Sequence, residues 1–296
     1  MNDPEANLSE PFPSNAMFST KYTLWSFLPK LLFEQFRKVT SIYFLLICVL
    51  ASIPQISPFN PLTSWLGLLF ILVVSGVREA YEDYLRLKAD IAVNNTLYTT
   101  ISKGVMVDTP SYAIKVGDFV YLKSDERIPV DMVLIASSRE EGSAYIETSQ
   151  LDGETNLKVR KVASDTYHKL LTEMPEISSS TGLNQQIKDK LSILSHLSGE
   201  LQVSSPSRHL YLFRGSLMID GEVNDGGINL SESNLLLASS RVKNTDWILG
   251  ICVYTGPETK VGLNQRLPPS KFSTVDSRLN KYILTVFFIV VVICCI

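Results

Sequence analysis

The sequence predicts a membrane α-helical hairpin followed by a cytosolic, mostly-β domain and then a third, truncated membrane helix. Three observations carry that prediction. Residues 39–77 contain no Asp, Glu, Lys or Arg, and Pro54, Pro58 and Pro61 break the run near its middle. From Leu97 to about Thr259, short stretches rich in Val, Ile, Tyr and Thr alternate with turn residues. From Tyr282 to Ile296 the chain is apolar again and stops without a flanking charge.

Residues 1–37 read as an N-terminal tail, the first 15 polar, Pro-bearing and disordered. Residues 16–37 mix aromatics with Lys21, Lys30 and Arg37, a composition suited to a membrane interface. The charge-free run divides into a first span at 38–53, a short exoplasmic loop at 54–61 and a second span at 62–77. Each half supplies about 17–20 largely apolar residues, enough for one bilayer crossing at about 1.5 Å per residue. Arg37 and Lys38 precede the first span and Arg78 follows the second, while the loop between carries no Lys or Arg. The positive-inside rule therefore places the N-terminus and the long middle region in the cytosol.

Residues 78–270 read as a stalk helix and then the β-rich domain. In the stalk, Glu82 and Arg86 stand at i,i+4, and Tyr81 and Leu85 share a face. Strands are expected at 98–101, 119–122, 132–136, 145–148, 211–213 and 247–254, a spacing that suits a sandwich or distorted jelly roll. Residues 165–200 read as more helical and polar, residues 271–281 as a linker and residues 282–296 as the third helix.

Several function classes are excluded. A net charge of −3 leaves no nucleic-acid footprint. The three histidines (His168, His196 and His209) are scattered without metal-site spacing. The four cysteines lack CxxC or secreted-type spacing and are expected to be free thiols. No Gly-x-x-x-x-Gly-Lys-Ser/Thr, Gly-x-Gly-x-x-Gly or Gly-x-Ser-x-Gly occurs. Three Asn-x-Ser/Thr triplets, at Asn7, Asn94 and Asn229, fall on the expected cytosolic side and are discounted.

The chemistry concentrates at Leu151-Asp152-Gly153-Glu154-Thr155-Asn156-Leu157-Lys158. Gly153 can take a positive φ, so Asp152-Gly153 makes a sharp turn. Asp152 can bond its own downstream backbone, leaving Glu154 projecting from a fixed point, where it could orient or deprotonate a water. The Thr155 hydroxyl and Asn156 amide could steady that carboxylate or contact a phosphate oxygen. An Asp-Gly pair alone is more often a plain surface turn.

The chain resembles the N-terminal third of the type IV P-type ATPases, the phospholipid flippases. The resemblance rests on separate blocks: Phe27-Leu28-Pro29-Lys30 with Leu32-Phe33-Glu34-Gln35-Phe36, Ile53-Pro54-Gln55-Ile56-Ser57-Pro58, Val116-Gly117-Asp118, Ile128-Pro129-Val130-Asp131, the Asp152–Lys158 stretch, and Val253-Tyr254-Thr255-Gly256. It implies that the β-rich region is an actuator domain whose Glu154 positions the water that breaks an aspartyl phosphate, with Asp152, Gly153 and Thr155 shaping the loop. It implies ATP and Mg²⁺ bound by domains outside this sequence, a phospholipid substrate, and an accessory two-span glycoprotein subunit. By the same resemblance Gln55 lies near a lipid gate; a hydrated loop residue is the plainer reading. Val130, Ser149-Gln150 and Leu31 depart from the family's usual residues and bear on subfamily only. A cation pump would carry Thr-Gly-Glu-Ser at this loop, so Asp152 and Thr155 argue against one. A truncated, non-catalytic regulator that binds a partner subunit is the alternative from a different class.

Overall fold

The computed structural model describes residues 12–55, 57, 60–102, 105–163, 199–219, 227–265 and 274–295. In chain order the elements are α1 (Leu24–Phe36), α2 (Val39–Ala51), α3 (Pro61–Asn94), β1 (Leu97–Ser102), β2 (Val105–Pro110), β3 (Phe119–Lys123), β4 (Asp131–Ser137), β5 (Ser143–Glu147), α4 (Ser149–Asp152), β6 (Leu157–Lys161), β7 (Gly199–Val203), β8 (Arg214–Ile219), β9 (Ile228–Ser231), β10 (Leu235–Leu236), β11 (Arg241–Lys243), β12 (Trp247–Tyr254), α5 (Lys260–Asn264) and α6 (Thr274–Cys295). They fall into two compact units, one from Met1–Met17 and Ala92–Arg266, the other from Phe18–Ile91 and Leu267–Ile296.

The first unit is built on three antiparallel sheets. The largest runs β10-β4-β12-β3-β1-β2; the smaller ones are β11-β5-β6 and β7-β8-β9. Successive side chains on a strand point to opposite faces, so the large sheet buries two distinct apolar sets. Phe119, Tyr121, Val133, Leu249 and Ile251 meet Leu217 and Leu230 of the β7-β8-β9 sheet. Val120, Leu122, Met132, Leu134, Ile248 and Cys252 meet Ala144 and Ile146 of β5 and Val242 of β11. Every residue of β4 and β12 is buried, which is why both read as near-continuous apolar runs rather than alternating ones.

Part of the N-terminal stretch is tied into this unit, which corrects the expectation of disorder through residue 15. Thr255 Oγ1 donates to the carbonyl of Pro13 at 2.7 Å, and the N–H of Gly256 donates to Asn15 Oδ1 at 2.9 Å. Asn15 Nδ2 donates in turn to the carbonyl of Ser111 at 2.9 Å. Asn94 exchanges bonds of 2.8 and 2.9 Å with the backbone of Met17. Polar composition suggested disorder, but extended backbone can be ordered when its donors and acceptors find fixed partners.

α3, which belongs to the second unit as far as Ile91, starts with Asn60 Oδ1 accepting from the N–H of Leu62 and Pro61 opening the helix. The helix then runs unbroken for 34 residues. Leu66, Leu69, Phe70, Val73 and Val77 of its apolar half are exposed. Among the described residues it is the one helix long and apolar enough to cross a membrane. The 13 residues of α2 span only about 20 Å, and α2 counts as a shorter apolar helix. Trp65 Nε1 donates to Ser52 Oγ at 3.0 Å across the α2–α3 connection. On the polar half of α3, Asp90 accepts both the N–H and the hydroxyl of Ser19 at 2.7 Å, and Glu82 pairs with Arg78 at 3.0 Å and with Arg86 at 3.9 Å.

Other differences from the sequence reading are local. α6 begins at Thr274, so the last eight residues read as linker are helical. Residues 211–213 are not a strand; β8 starts one residue later, at Arg214. Residues 1–11 of the tail, His168, His196, the Asn7 triplet and all of the helical reading at 165–200 but its end lie outside the described residues; Gly199 and Glu200, at that end, are strand rather than helix and open β7. Cys48 and Cys252 are free thiols; the side chains of Cys294 and Cys295 lie outside the description.

Candidate functional site: the tip of the β5–β6 hairpin

Strands β5 and β6 pair from Ser143↔Lys161 to Glu147↔Leu157, leaving residues 148–156 as the hairpin tip. Thr148 is buried at its base. Its carbonyl accepts from the N–H of Leu151 at 2.8 Å and of Asp152 at 3.2 Å, winding the single turn α4. Leu151 packs against the core cluster that includes Phe213 and Leu217, which seats the turn. Gly153 ends it in the left-handed region at φ 76°, ψ 1°. A Cβ there would meet nothing within 4 Å, so the demand for glycine is conformational rather than steric.

Asp152 is the hub. The Thr148 hydroxyl lies 3.2 and 3.1 Å from its two oxygens. Oδ1 also accepts from the backbone N–H of Glu154 at 3.0 Å. Oδ2 accepts from Lys158 Nζ and, at 3.2 Å, from the hydroxyl of Tyr211. Burial opposes ionisation of Asp152, but the bonds from Lys158, the Glu154 N–H and Thr148 outweigh it and draw its pKa down to about 2. Burial likewise disfavours the Lys158 ammonium, and its bonds to Asp152, Tyr211 and Glu154 more than compensate, raising its pKa. Lys158 also donates to the Tyr211 hydroxyl at 2.9 Å and lies 5.0 Å from the centre of that ring.

Glu154 stands beyond this cluster with 59% of its side chain exposed and, among the described residues, pairs with Lys158 at 3.3 Å. The structure thus gathers Asp152, Gly153, Glu154 and Thr155 on one loop tip. Thr155 and Asn156 do not steady the Glu154 carboxylate, as the sequence had allowed; Lys158 holds it instead. The reason is the turn after Gly153, which starts β6 at Leu157 and brings residue 158 back under residue 152. Gln55 belongs to the other unit, exposed in the connection between α2 and α3.

Two side chains of this cluster escaped sequence reasoning. Lys158 carried a weak signal, four residues after Glu154. Tyr211 carried none, because 59 residues separate it from Asp152. Beside the tip lies an open groove of ≈ 510 Å³ lined by residues that include Gln150, Leu151, His209, Tyr211 and Asn264. No group of three or more His, Cys, Asp or Glu able to hold a metal ion occurs among the described residues.

Residues 1–65 match the phospholipid-translocating ATPase N-terminal family, and residues 93–225 match the P-type ATPase actuator domain. Over 291 residues the chain is 36% identical to the phospholipid-transporting ATPase tat-1 of Caenorhabditis elegans, covering 98% of this chain and 24% of that protein. Over 290 residues it is 34% identical to the human phospholipid-transporting ATPase IH, covering 97% and 24%. Over 295 residues it is 35% identical to phospholipid-transporting ATPase 1 of Arabidopsis thaliana, covering 99% and 23%. The chain therefore spans about a quarter of the length of these relatives.

Proposed function

Because this chain belongs to the phospholipid-translocating P-type ATPases, with their N-terminal region and actuator domain, we propose that it serves ATP-driven phospholipid translocation by presenting Glu154 to an aspartyl phosphate. The observation that carries the reading is an exposed carboxylate on a backbone pinned by a half-buried, multiply bonded aspartate. Glu154 orients a water and takes its proton as the water oxygen bonds to phosphorus. The bond from phosphorus to the acyl oxygen breaks, and the aspartate leaves as a carboxylate while phosphate departs. Lys158, 3.3 Å from Glu154, offsets part of the repulsion between that carboxylate and an anionic phosphate.

ATP and Mg²⁺ belong to the family's chemistry, but the described residues do not fit a site for either, having neither a metal-holding cluster nor a phosphate-cradling loop. The remaining finer readings are also ours. We read α2 and α3 as a membrane hairpin, supported by the short connection between them and the Trp65–Ser52 and Cys48–Ser64 contacts. We read the three sheets as a distorted jelly roll, α6 as a further membrane helix, and the N-terminus and β-rich unit as cytosolic, in line with Arg37, Lys38 and Arg78. Gln55 near a lipid gate and a two-span glycoprotein partner rest on family resemblance.

The deciding experiment places Glu154→Gln in a phosphorylation-competent ATPase that carries this chain as its N-terminal part. Phosphoenzyme should form at the normal rate and decay about 10²–10⁴-fold more slowly. Normal decay would remove Glu154 from the reaction.

A further inference from the structure

Lys260 is a fully buried lysine, 1% exposed. Its ammonium is spent on one short segment: Nζ donates to the carbonyls of His209 and Leu212 at 2.8 Å and reaches the carbonyl and hydroxyl of Ser207 at 3.5 and 3.4 Å. The next turn adds a clamp, Asn264 Nδ2 donating to the carbonyl of Arg208 at 2.7 Å. Lys260 is itself held, since its backbone N–H donates to Asp131 Oδ2 at 2.6 Å, and Asp131 is fully buried on strand β4. Burial lowers the pKa of the Lys260 ammonium, opposed by the charge of Asp131.

An irregular segment has no ladder to satisfy its carbonyls, so an ammonium with three donors can fix several at once. Tyr211 sits between two of the gripped carbonyls, and its hydroxyl closes the Asp152–Lys158 cluster. Bonded contacts thus run unbroken from Asp131 through Lys260, the 207–212 segment and Tyr211 to the Glu154 loop. We propose that Lys260 is a positioning residue for Glu154, acting through the 207–212 segment and the phenol of Tyr211. The proposal rests on the dephosphorylation reading of Glu154 and adds to it two residues outside the hairpin.

The test combines Lys260→Met, Lys260→Arg, Tyr211→Phe and the double variant Lys260→Met/Tyr211→Phe. Amide hydrogen exchange is read on the full chain, and phosphoenzyme formation and decay on a phosphorylation-competent ATPase carrying it. Lys260→Met should speed exchange in 208–212 and in 149–156 and slow decay about tenfold without slowing formation. Lys260→Arg should recover part of that loss. Tyr211 is half-exposed, so Tyr211→Phe tests the link without threatening the core; it should slow decay comparably, and the double variant should be no slower than the worse single one. Unchanged exchange in 149–156, unchanged decay in Tyr211→Phe, or multiplying effects in the double variant would overturn the proposal. If Lys260→Met loosens both segments while Glu154→Gln decays normally, the positioning chain stands and the role of Glu154 falls.

Discussion

The backbone N–H of Glu154 donates to Oδ1 of Asp152 at 3.0 Å, so the exposed carboxylate takes its direction from the residue two places before it. Asp152→Ala should therefore do more than delete a charge. It strips partners from Thr148, Lys158, Tyr211 and the Glu154 N–H together. Amide exchange at 153–156 should rise at least about tenfold, and phosphoenzyme decay should slow although Glu154 is intact. Because the pKa of Asp152 is depressed to about 2, its contribution is complete above the ordinary carboxylate range and is lost only as pH falls from about 4 towards 2. Loop exchange, corrected for its intrinsic pH dependence, should be flat from pH 5 to 8.

Two glycines with positive φ should respond differently to alanine. Gly153, at φ 76°, faces open space, so Gly153→Ala should cost about 1–2 kcal/mol in urea unfolding, and Gly153→Asn less. Gly256, at φ 52°, packs its α-carbon against the backbone of Ser14, where a Cβ would collide. Gly256→Ala should add that clash to the conformational cost and release the Pro13–Asn15 strap, read as new proteolytic cleavage between residues 12 and 18.

Asp131 predicts a pH dependence of the opposite sign. Burial raises its pKa from an ordinary 3.8 to about 6, against the N–H bonds from Ala238 and Lys260 that favour the charged form. The folded chain then holds this proton more tightly than the unfolded chain. Its contribution to stability is greatest below about pH 4 and falls as pH rises to about 6, by about 3 kcal/mol. The difference between wild type and Asp131→Asn in unfolding free energy, measured from pH 3.5 to 7.5, should show that slope.

Leu69 and Phe70 lie midway along the exposed apolar half of α3. Leu69→Arg should weaken membrane insertion by about 2.5–3.5 kcal/mol, read as an increased share of chains released by alkaline extraction.

Much of this protein was legible because local chemistry wrote it. Pro61 marks the break from which α3 starts, and Asp152-Gly153 marks the turn, since each needs only its own neighbours. Strands β4 and β12 announced themselves by apolar content. Strands β6 and β11 did not, because Leu157-Lys158-Val159-Arg160-Lys161 and Arg241-Val242-Lys243 are mostly charged and become strands by pairing with β5.

The sequence by itself determined the order of apolar and β-rich regions, the turn at Gly153 and the presence there of a forward carboxylate. Only the tertiary structure decided what holds that carboxylate. Lys158 reaches Asp152 because β6 folds back along β5, and Tyr211 reaches both from an irregular segment whose carbonyls at His209 and Leu212 accept from the buried ammonium of Lys260. Contacts between residues about 50 to 60 positions apart leave no trace in local propensity, since the loop-closing cost they overcome is repaid by core packing elsewhere in the chain.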